Sequence, residues 1–149
     1  MDLATAWAWA VERFPARRAV GGPRPLTFAE WDARTARLAH ALVGLGVRRG
    51  DRVALVLTGG EPAASTHLAA QRIGAVATPL SHRFALPELT HCLADAAPTV
   101  VVSEAATAET TAAAVADERV RPLVHLGVDE LERRAREQPD TAPPDPPGP

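Results

Sequence analysis

Apolar positions near the start of the chain recur with the period of an α-helix and then change to short paired runs. One helical stripe over the first fourteen residues is formed by Leu3, Trp7, Ala10, Val11 and Phe14. This stripe predicts an amphipathic helix that ends before Pro15. The apolar pairs that follow, Ala19-Val20 and Pro25-Leu26, flank a Gly-Gly-Pro segment and predict a short β-hairpin.

A second helix is predicted from Thr27 onwards. Thr27 and Glu30 have the spacing of a capping box, in which each side chain binds a backbone amide of the other residue. The apolar positions that follow share one helical face, namely Phe28, Trp31, Leu38, Leu42 and Leu45. Gly44 and Gly46 then indicate where the helix ends.

A nearly continuous apolar run at 52–57 is typical of a strand that is buried on both faces of a parallel sheet. Helices and strands then alternate, with short connections. The predicted segments are a helix from Glu61 to the capping Gly74, a strand at 75–78, a helix at 87–96, a strand at 99–102, a helix at 104–117, a strand at 122–126 and a helix at 129–137.

The alternation predicts an α/β fold, with an open, mostly parallel sheet and helices on both faces. We expect this unit to occupy residues 1–138. Residues 139–149 include six prolines and are predicted to be a linker or a loose tail.

Composition narrows the classes of partner. The net charge is −2 with both signs interspersed, which argues against a nucleic-acid or membrane-surface protein. No apolar run approaches the ~18 residues of a membrane span. Cys92 is the single cysteine, so no internal disulfide can form, and we expect a cytoplasmic location.

All sixteen basic residues are arginine, and the sequence contains no lysine. Chemistry that depends on lysine, such as a phosphate-loop lysine, a Schiff base or a lysine general base, is therefore excluded on this polypeptide.

Several segments could carry chemistry or could be structural. The glycines of 44–50 follow a helix and precede a strand, which is the reverse of a dinucleotide-binding loop, so they predict a helix exit and a turn. Thr58-Gly59-Gly60 follows a strand, where its amides either bind an anion or simply form the turn. Cys92 shares a helical stripe with Leu89 and Ala96, which predicts a buried structural thiol.

The histidines and the charged residues give few indications of a metal-binding or ligand-binding site. The histidines are scattered without carboxylates at ligand spacing, so no metal site is predicted. Asp51 is expected to cap a turn, with Arg52 on the surface. Arg83 follows a strand, at the sheet edge where ligands gather, and is either a phosphate ligand or a solvated surface arginine.

Taken in order, the landmarks of the chain resemble the N-terminal region of the adenylate-forming, or AMP-binding, ligase superfamily. Within it they are most similar to acyl-CoA synthetases and other carboxylic acid–CoA ligases. The resemblance is strongest over residues 7–103 and is carried by Arg13-Phe14-Pro15, Leu26-Thr27-Phe28, 36–39, Leu45-Gly46-Val47, 50–54, Gly74-Ala75-Val76, Pro79-Leu80-Ser81, Glu88-Leu89 and Leu93-Ala94-Asp95.

This resemblance implies an enzyme that uses ATP and Mg²⁺ to convert a carboxylic acid to an acyl-adenylate and then transfers the acyl group to coenzyme A. In some of these ligases an arginine just after a proline-leucine-asparagine element contacts a coenzyme A phosphate. Arg83 matches that arginine, although Ser81 and His82 replace the usual asparagine-proline. The acyl substrate is not indicated.

The family's lysine-containing phosphate loop, ribose-binding aspartate and catalytic lysine have no counterpart here. Residues 143–147 resemble the approach to that loop. We therefore expect a front part of a ligase that is inactive alone, binds none of these cofactors tightly, and leaves an apolar face for the remainder of the enzyme or another partner. The alternative is a non-catalytic binding or interaction module derived from the same fold. An unrelated flavodoxin-like domain would leave the landmarks unexplained.

Overall fold

Residues 2–143 are described by a computed structural model, and within them the chain forms six helices and six strands. The helices are α1 (Leu3–Arg13), α2 (Phe28–Gly44), α3 (Gly60–Arg72), α4 (Leu86–Ala96), α5 (Ala108–Val115) and α6 (Val128–Arg136). The strands are β1 (Arg18–Val20), β2 (Leu26–Thr27), β3 (Arg52–Val56), β4 (Val76–Pro79), β5 (Val100–Ser103) and β6 (Val124–Gly127).

The last four strands form one parallel sheet in the order β4-β3-β5-β6. β1 and β2 pair separately as the antiparallel hairpin that the sequence predicts. Val53 of β3 lies opposite Ala77 of β4 and Val100 of β5, so the strands are closely aligned. Their carboxyl ends therefore meet at one edge, and the predicted α/β fold is confirmed.

Alternate residues of β3 face two different helical layers. Val53 and Leu55 belong to the larger core, which the sheet shares with α2, α3 and α6. Ala54 and Val56 belong to a smaller core with α4 and α5. All four side chains are almost completely buried, so the apolar run lies between two layers of helices, as its composition predicts.

The start of α2 contains the predicted capping box. The Glu30 amide donates to Thr27 Oγ1 at 3.2 Å, and the Thr27 amide donates to a Glu30 carboxylate oxygen at 2.8 Å. The hydrogen bond from the Thr27 backbone lowers the pKa of Glu30. These bonds fix the point at which the hairpin turns into the helix.

Helices α2 and α3 both end at a glycine in the left-handed region. Gly46 has φ +93° and Gly74 has φ +70°, a conformation that disfavours residues with a Cβ. After α3, the Ala75 amide donates to Ala70 O and the Gly74 amide donates to Gln71 O, both at 3.0 Å. This pattern is a Schellman motif, so the predicted helix exits are confirmed.

The prediction for α5 was wrong at its start, since the helix begins at Ala108 and the predicted segment began at 104. Thr107 Oγ1 donates to Val56 O at 2.6 Å and accepts from the Glu104 amide at 3.1 Å. These bonds hold residues 104–107 as a turn against the end of β3. The alanine-rich sequence gives no sign of this long-range contact.

The predicted tail lies partly beyond the described part of the chain, because residues 144–149 fall outside it. Residues 137–143 contain neither helix nor strand. Arg37 of α2 lies 3.3 Å from the Asp140 carboxylate, and His40 Nε2 lies 3.2 Å from Thr141 O. Within residues 2–143, no helix has the length and apolar character that crossing a bilayer requires.

Candidate ligand-binding edge of the sheet

The carboxyl edge of the parallel sheet brings together two segments that the sequence singles out and one residue, Glu104, that it does not. Thr58-Gly59-Gly60 follows β3, and the loop containing Arg83 follows β4, which is the neighbouring strand. Glu104 follows β5 on the other side of β3. In open α/β sheets, ligands bind in the crevice outside this edge, so the geometry makes it the candidate site.

The Thr58-Gly59-Gly60 turn has a backbone that strongly favours glycine. Gly59 has φ +120° and Gly60 has φ +79°, and α3 begins at Gly60 without a side-chain cap. The Thr58 amide donates to a Glu104 carboxylate oxygen, so this amide is already occupied. The two glycines are required by the turn itself, and an anion-binding role of the turn stays a prediction.

Sequence reasoning missed Glu104 as a part of this edge. Glu104 and Thr107 together join the loop after β5 to the end of β3, through the Thr58 amide and the Val56 carbonyl. The two side chains therefore position the turn that leads into α3. The residues involved are about fifty positions apart in the chain, and no local pattern indicates that they meet.

Arg83 lies in the exposed loop between β4 and α4. Its amide donates to Ser81 Oγ at 3.2 Å, and the Phe84 amide donates to Ser81 O at 3.2 Å. The guanidinium group has no hydrogen-bond or ion-pair partner among residues 2–143, so it is available to an anion at the edge of the sheet. This exposed position in the loop after β4 suits either predicted role of Arg83, a phosphate ligand or a solvated surface arginine.

His125 and Ser103 form a pair that the sequence did not indicate. His125 Nε2 lies 3.0 Å from Ser103 Oγ, between the adjacent strands β6 and β5. Burial lowers the pKa of His125, which favours its neutral form. Within the described residues no carboxylate hydrogen-bonds to either side chain, so the triad arrangement of a hydrolase is not formed there.

The other residues that the sequence singles out do not form a site for catalysis or metal binding within the described residues. Cys92 is half-buried, so the prediction of a buried thiol was wrong: α4 buries Leu89, Thr90 and Leu93 instead.

The Asp51 carboxylate accepts from the Arg48 amide at 2.8 Å and caps the turn, as predicted. Residues 2–143 contain no group of three histidine, cysteine or acidic side chains placed to hold a metal.

Arg34 links three helices and lines a polar groove of about 830 Å³, which is also lined by the first residues of α3 and α6. Its guanidinium donates to Glu61 of α3 at 2.5 and 3.0 Å, and to Glu132 of α6 at 2.8 and 2.6 Å. Burial disfavours the charge of Arg34, but the two carboxylates outweigh this effect and raise its pKa. Its charge is therefore satisfied within the protein.

The strand order and the helices on both faces of the sheet define an α/β unit with an open parallel sheet. Residues 7–149 match the family described as AMP-binding enzyme. The chain is 40% identical over 119 residues to a feruloyl-CoA synthase of Amycolatopsis, covering 80% of this chain and 23% of that protein. It is 34% identical over 113 residues to the long-chain-fatty-acid–CoA ligase FadD13 of Mycobacterium tuberculosis, covering 74% of this chain and 22% of that protein.

Solved structures of longer proteins share the fold of this chain. A fatty acyl CoA synthetase of Mycobacterium tuberculosis matches 99% of this chain with a TM-score of 0.88 and 28% identity, and this chain covers 30% of it. MatB from Rhodopseudomonas palustris matches 99% with a TM-score of 0.80 and 29% identity. The chain therefore belongs to the AMP-binding enzyme family, and it spans about a quarter of the curated ligases that it matches.

Proposed function

We propose that this chain supplies the N-terminal α/β unit of an ATP-dependent carboxylic acid–CoA ligase and is inactive by itself. The observation that carries the proposal is the family match over residues 7–149 in a sequence without lysine. A ligase of this kind forms an acyl-adenylate and then an acyl-CoA thioester. Charge that develops during adenylyl transfer requires preorganised cationic groups, and the family's loop and catalytic lysines are not available on this chain.

The described residues lack two features that favour binding of ATP and Mg²⁺. They contain no lysine for the phosphates and no cluster of three metal-ligating side chains. No step through ATP or magnesium is therefore assigned to this chain, and tight binding of either is not expected.

One residue of this chain, Arg83, is suited to bind a phosphate of coenzyme A. Arg83 is exposed, has no charge partner among residues 2–143, and lies where ligands of such sheets bind. A guanidinium can hold a phosphate with two parallel hydrogen bonds. We therefore assign Arg83 the role of contacting a coenzyme A phosphate in a complete ligase.

The proposal is tested by carboxylate-dependent ATP–pyrophosphate exchange with the purified 149-residue chain. We expect no exchange above the protein-free blank with aromatic, short-chain or long-chain carboxylic acids. Exchange at an enzymatic rate would contradict the proposal. The Arg83 assignment is tested separately in a chimaera, in which this chain replaces the matching segment of the Amycolatopsis feruloyl-CoA synthase.

In that chimaera Arg83→Ala should raise KM for coenzyme A by about tenfold, which corresponds to one charge-assisted hydrogen bond. The exchange reaction does not involve coenzyme A and should be unaffected. Arg119→Ala, which removes another exposed arginine, is the matched control. An unchanged KM for coenzyme A in the Arg83 variant would remove the assignment.

A second candidate function, a non-catalytic interaction module, is favoured by one relative. The uncharacterised protein Rv1549 of Mycobacterium tuberculosis is 33% identical over 89 residues, which cover 60% of this chain and 51% of that protein. Thus a similar segment makes up about half of a chain that is shorter than the ligases. A monodisperse monomer that binds no hydrophobic dye would favour this candidate, whereas dye binding would favour the ligase unit.

A further inference from the structure

The loops that follow β3 and β5 leave the sheet in opposite directions. β3 and β5 are neighbours, with β4 on the far side of β3 and β6 on the far side of β5. Helix α3, which follows β3, packs on one face of the sheet, and α5, which follows β5, packs on the other face. Such a divergence defines a topological switch point, where a ligand-binding crevice opens between the two strands. In this chain the switch point lies between the carboxyl ends of β3 and β5.

Two side chains from the loop after β5 join the two sides of this crevice. The Glu104 carboxylate accepts from the Thr58 amide, and Thr107 Oγ1 donates to Val56 O at 2.6 Å. The Glu104 amide donates to Thr107 Oγ1 at 3.1 Å, so the two contacts are connected. Thr107 is buried and Glu104 is half-buried. We call this set of contacts the Glu104 clamp.

The clamp holds a turn whose backbone has unusual conformational freedom. Gly59 and Gly60 follow Thr58 with φ of +120° and +79°, and α3 begins at Gly60 without a side-chain cap. Glycine loses more conformational entropy on ordering than any other residue. The hydrogen bond from the Thr58 amide therefore fixes the residue that precedes the two glycines. Without this bond, the turn would have to be ordered when a ligand binds, at a cost to affinity.

The clamped turn is a neighbour of the segment that leads to Arg83. The Leu80 amide donates to Leu55 O at 2.9 Å, and Gly59 and Pro79 line one apolar groove, so the ends of β3 and β4 lie side by side. A phosphate at Arg83 would therefore lie in the loop of the strand next to the turn. Glu104 is itself an anion and already binds the Thr58 amide, so a second anion is disfavoured there. The clamp thus favours Arg83 over this amide as the phosphate ligand.

We infer that Glu104 is a positioning residue for coenzyme A, which holds the turn after β3 in the form that the coenzyme requires. The inference rests on the proposed function, in which Arg83 contacts a coenzyme A phosphate. It gives Glu104 no contact with the reacting atoms and no part in forming the acyl-adenylate. Loss of the Glu104 carboxylate should therefore weaken the use of coenzyme A and leave adenylation unchanged. Glu104→Gln keeps an oxygen that can accept from the Thr58 amide, so it should preserve the clamp.

The clamp itself is tested in the 149-residue chain by amide hydrogen exchange, followed by NMR. Glu104→Ala should speed hydrogen exchange of the Thr58 amide by more than about tenfold, because its hydrogen bond is lost. Glu104→Gln should keep this rate within about twofold of that of the unchanged chain. Glu109→Ala is the matched control, since it removes an exposed carboxylate from the first turn of α5. Equal rates in the unchanged chain and in Glu104→Ala would overturn the inference.

The role in coenzyme binding is tested in the chimaera with the Amycolatopsis synthase. Glu104→Ala should raise KM for coenzyme A by about fivefold without changing kcat, because the turn must then be ordered on binding. Thr107→Val, which removes the second contact of the clamp, should shift KM in the same direction. Glu104→Gln and Glu109→Ala should leave KM unchanged, and ATP–pyrophosphate exchange should keep its rate in every variant. An equal loss in both reactions would indicate a merely structural role and overturn the inference.

Failure of the proposed function gives a different result from failure of this inference. A folded chimaera that performs no ATP–pyrophosphate exchange with the unchanged chain would contradict the proposed function, and with it the role of Glu104 in coenzyme binding. A chimaera that performs this exchange, and in which Glu104→Ala leaves KM for coenzyme A unchanged, would retain the proposed function and remove Glu104 as a positioning residue.

Discussion

The two helical layers of this protein pack on the same sheet but are held together differently. The layer of α2, α3 and α6 has a large aliphatic core and is joined across its polar edge by Arg34, Glu61 and Glu132. The layer of α4 and α5 has a smaller core, and no ion pair joins its two helices within the described residues. We therefore expect the first layer to carry more of the stability.

The largest expected difference comes from removing one core leucine in each layer. Leu42→Ala in α2 should lower the free energy of unfolding by ~3–5 kcal/mol, and Leu93→Ala in α4 by ~2–3 kcal/mol. Both leucines are fully buried, but the smaller core around Leu93 can close more readily over the cavity. Urea unfolding of both variants checks this, and a greater loss for Leu93→Ala would reverse the ranking of the layers.

Arg34→Met removes the ion pairs that join α2 to α3 and α6 through Glu61 and Glu132. The substitution leaves Glu61 and Glu132 close together without their cation, and we expect a loss of ~2 kcal/mol, below the value for a fully buried pair because 28% of the Arg34 side chain is exposed. Urea unfolding provides the measurement. Arg119→Met, which removes the exposed pair with Asp117, should leave stability unchanged. Equal effects of the two variants would show that the link does not stabilise the layer.

The same substitution, threonine to valine, should change the free energy of unfolding in opposite directions at two positions in the layer of α4 and α5. Thr111 is completely buried and its hydroxyl has no partner among the described residues, so Thr111→Val should stabilise by ~1 kcal/mol. Thr107→Val loses the hydrogen bond to Val56 O and should destabilise by ~1 kcal/mol. Thermal unfolding distinguishes them, and a loss in both variants would mean that Thr111 has a partner in solution.

The smallest effect is expected from pH, through His125. Burial lowers its pKa below the ordinary 6.5, so below that pH the unfolded chain binds a proton more readily than the folded protein. Its contribution to stability should be complete above pH 6.5 and decrease as the pH falls from that value towards the lowered pKa. Urea unfolding between pH 8 and pH 5 should show this decrease, and His125→Gln should reduce it. An identical pH profile in the variant would refute the assignment.

Local signals predict most of the fold. The apolar run of β3, the capping box of Thr27 and the glycines that end α2 and α3 each act through neighbours in the sequence, and each prediction is confirmed. The first and last residues of helices were predicted less well where a hydrogen bond to a distant residue determines them. The start of α5 depends on Thr107 binding Val56, a residue about fifty positions earlier.

The candidate site could be predicted only in part for the same reason. The position of Arg83 after a strand is visible in the sequence, because the carboxyl ends of parallel strands share an edge. The Glu104 contact with Thr58 and the pairing of Ser103 with His125 require the strand order, which alternation of helices and strands does not specify. The Arg34–Glu132 link, 98 residues apart, is likewise a product of packing.

A paired exchange assay tests the proposal that this chain is a ligase unit without the groups that catalyse adenylation. Carboxylate-dependent ATP–pyrophosphate exchange is measured side by side for the 149-residue chain and for its chimaera with the Amycolatopsis synthase. We expect exchange by the chimaera and none by the chain. Exchange by the chain alone, or an inactive chimaera that is folded, would contradict this proposal.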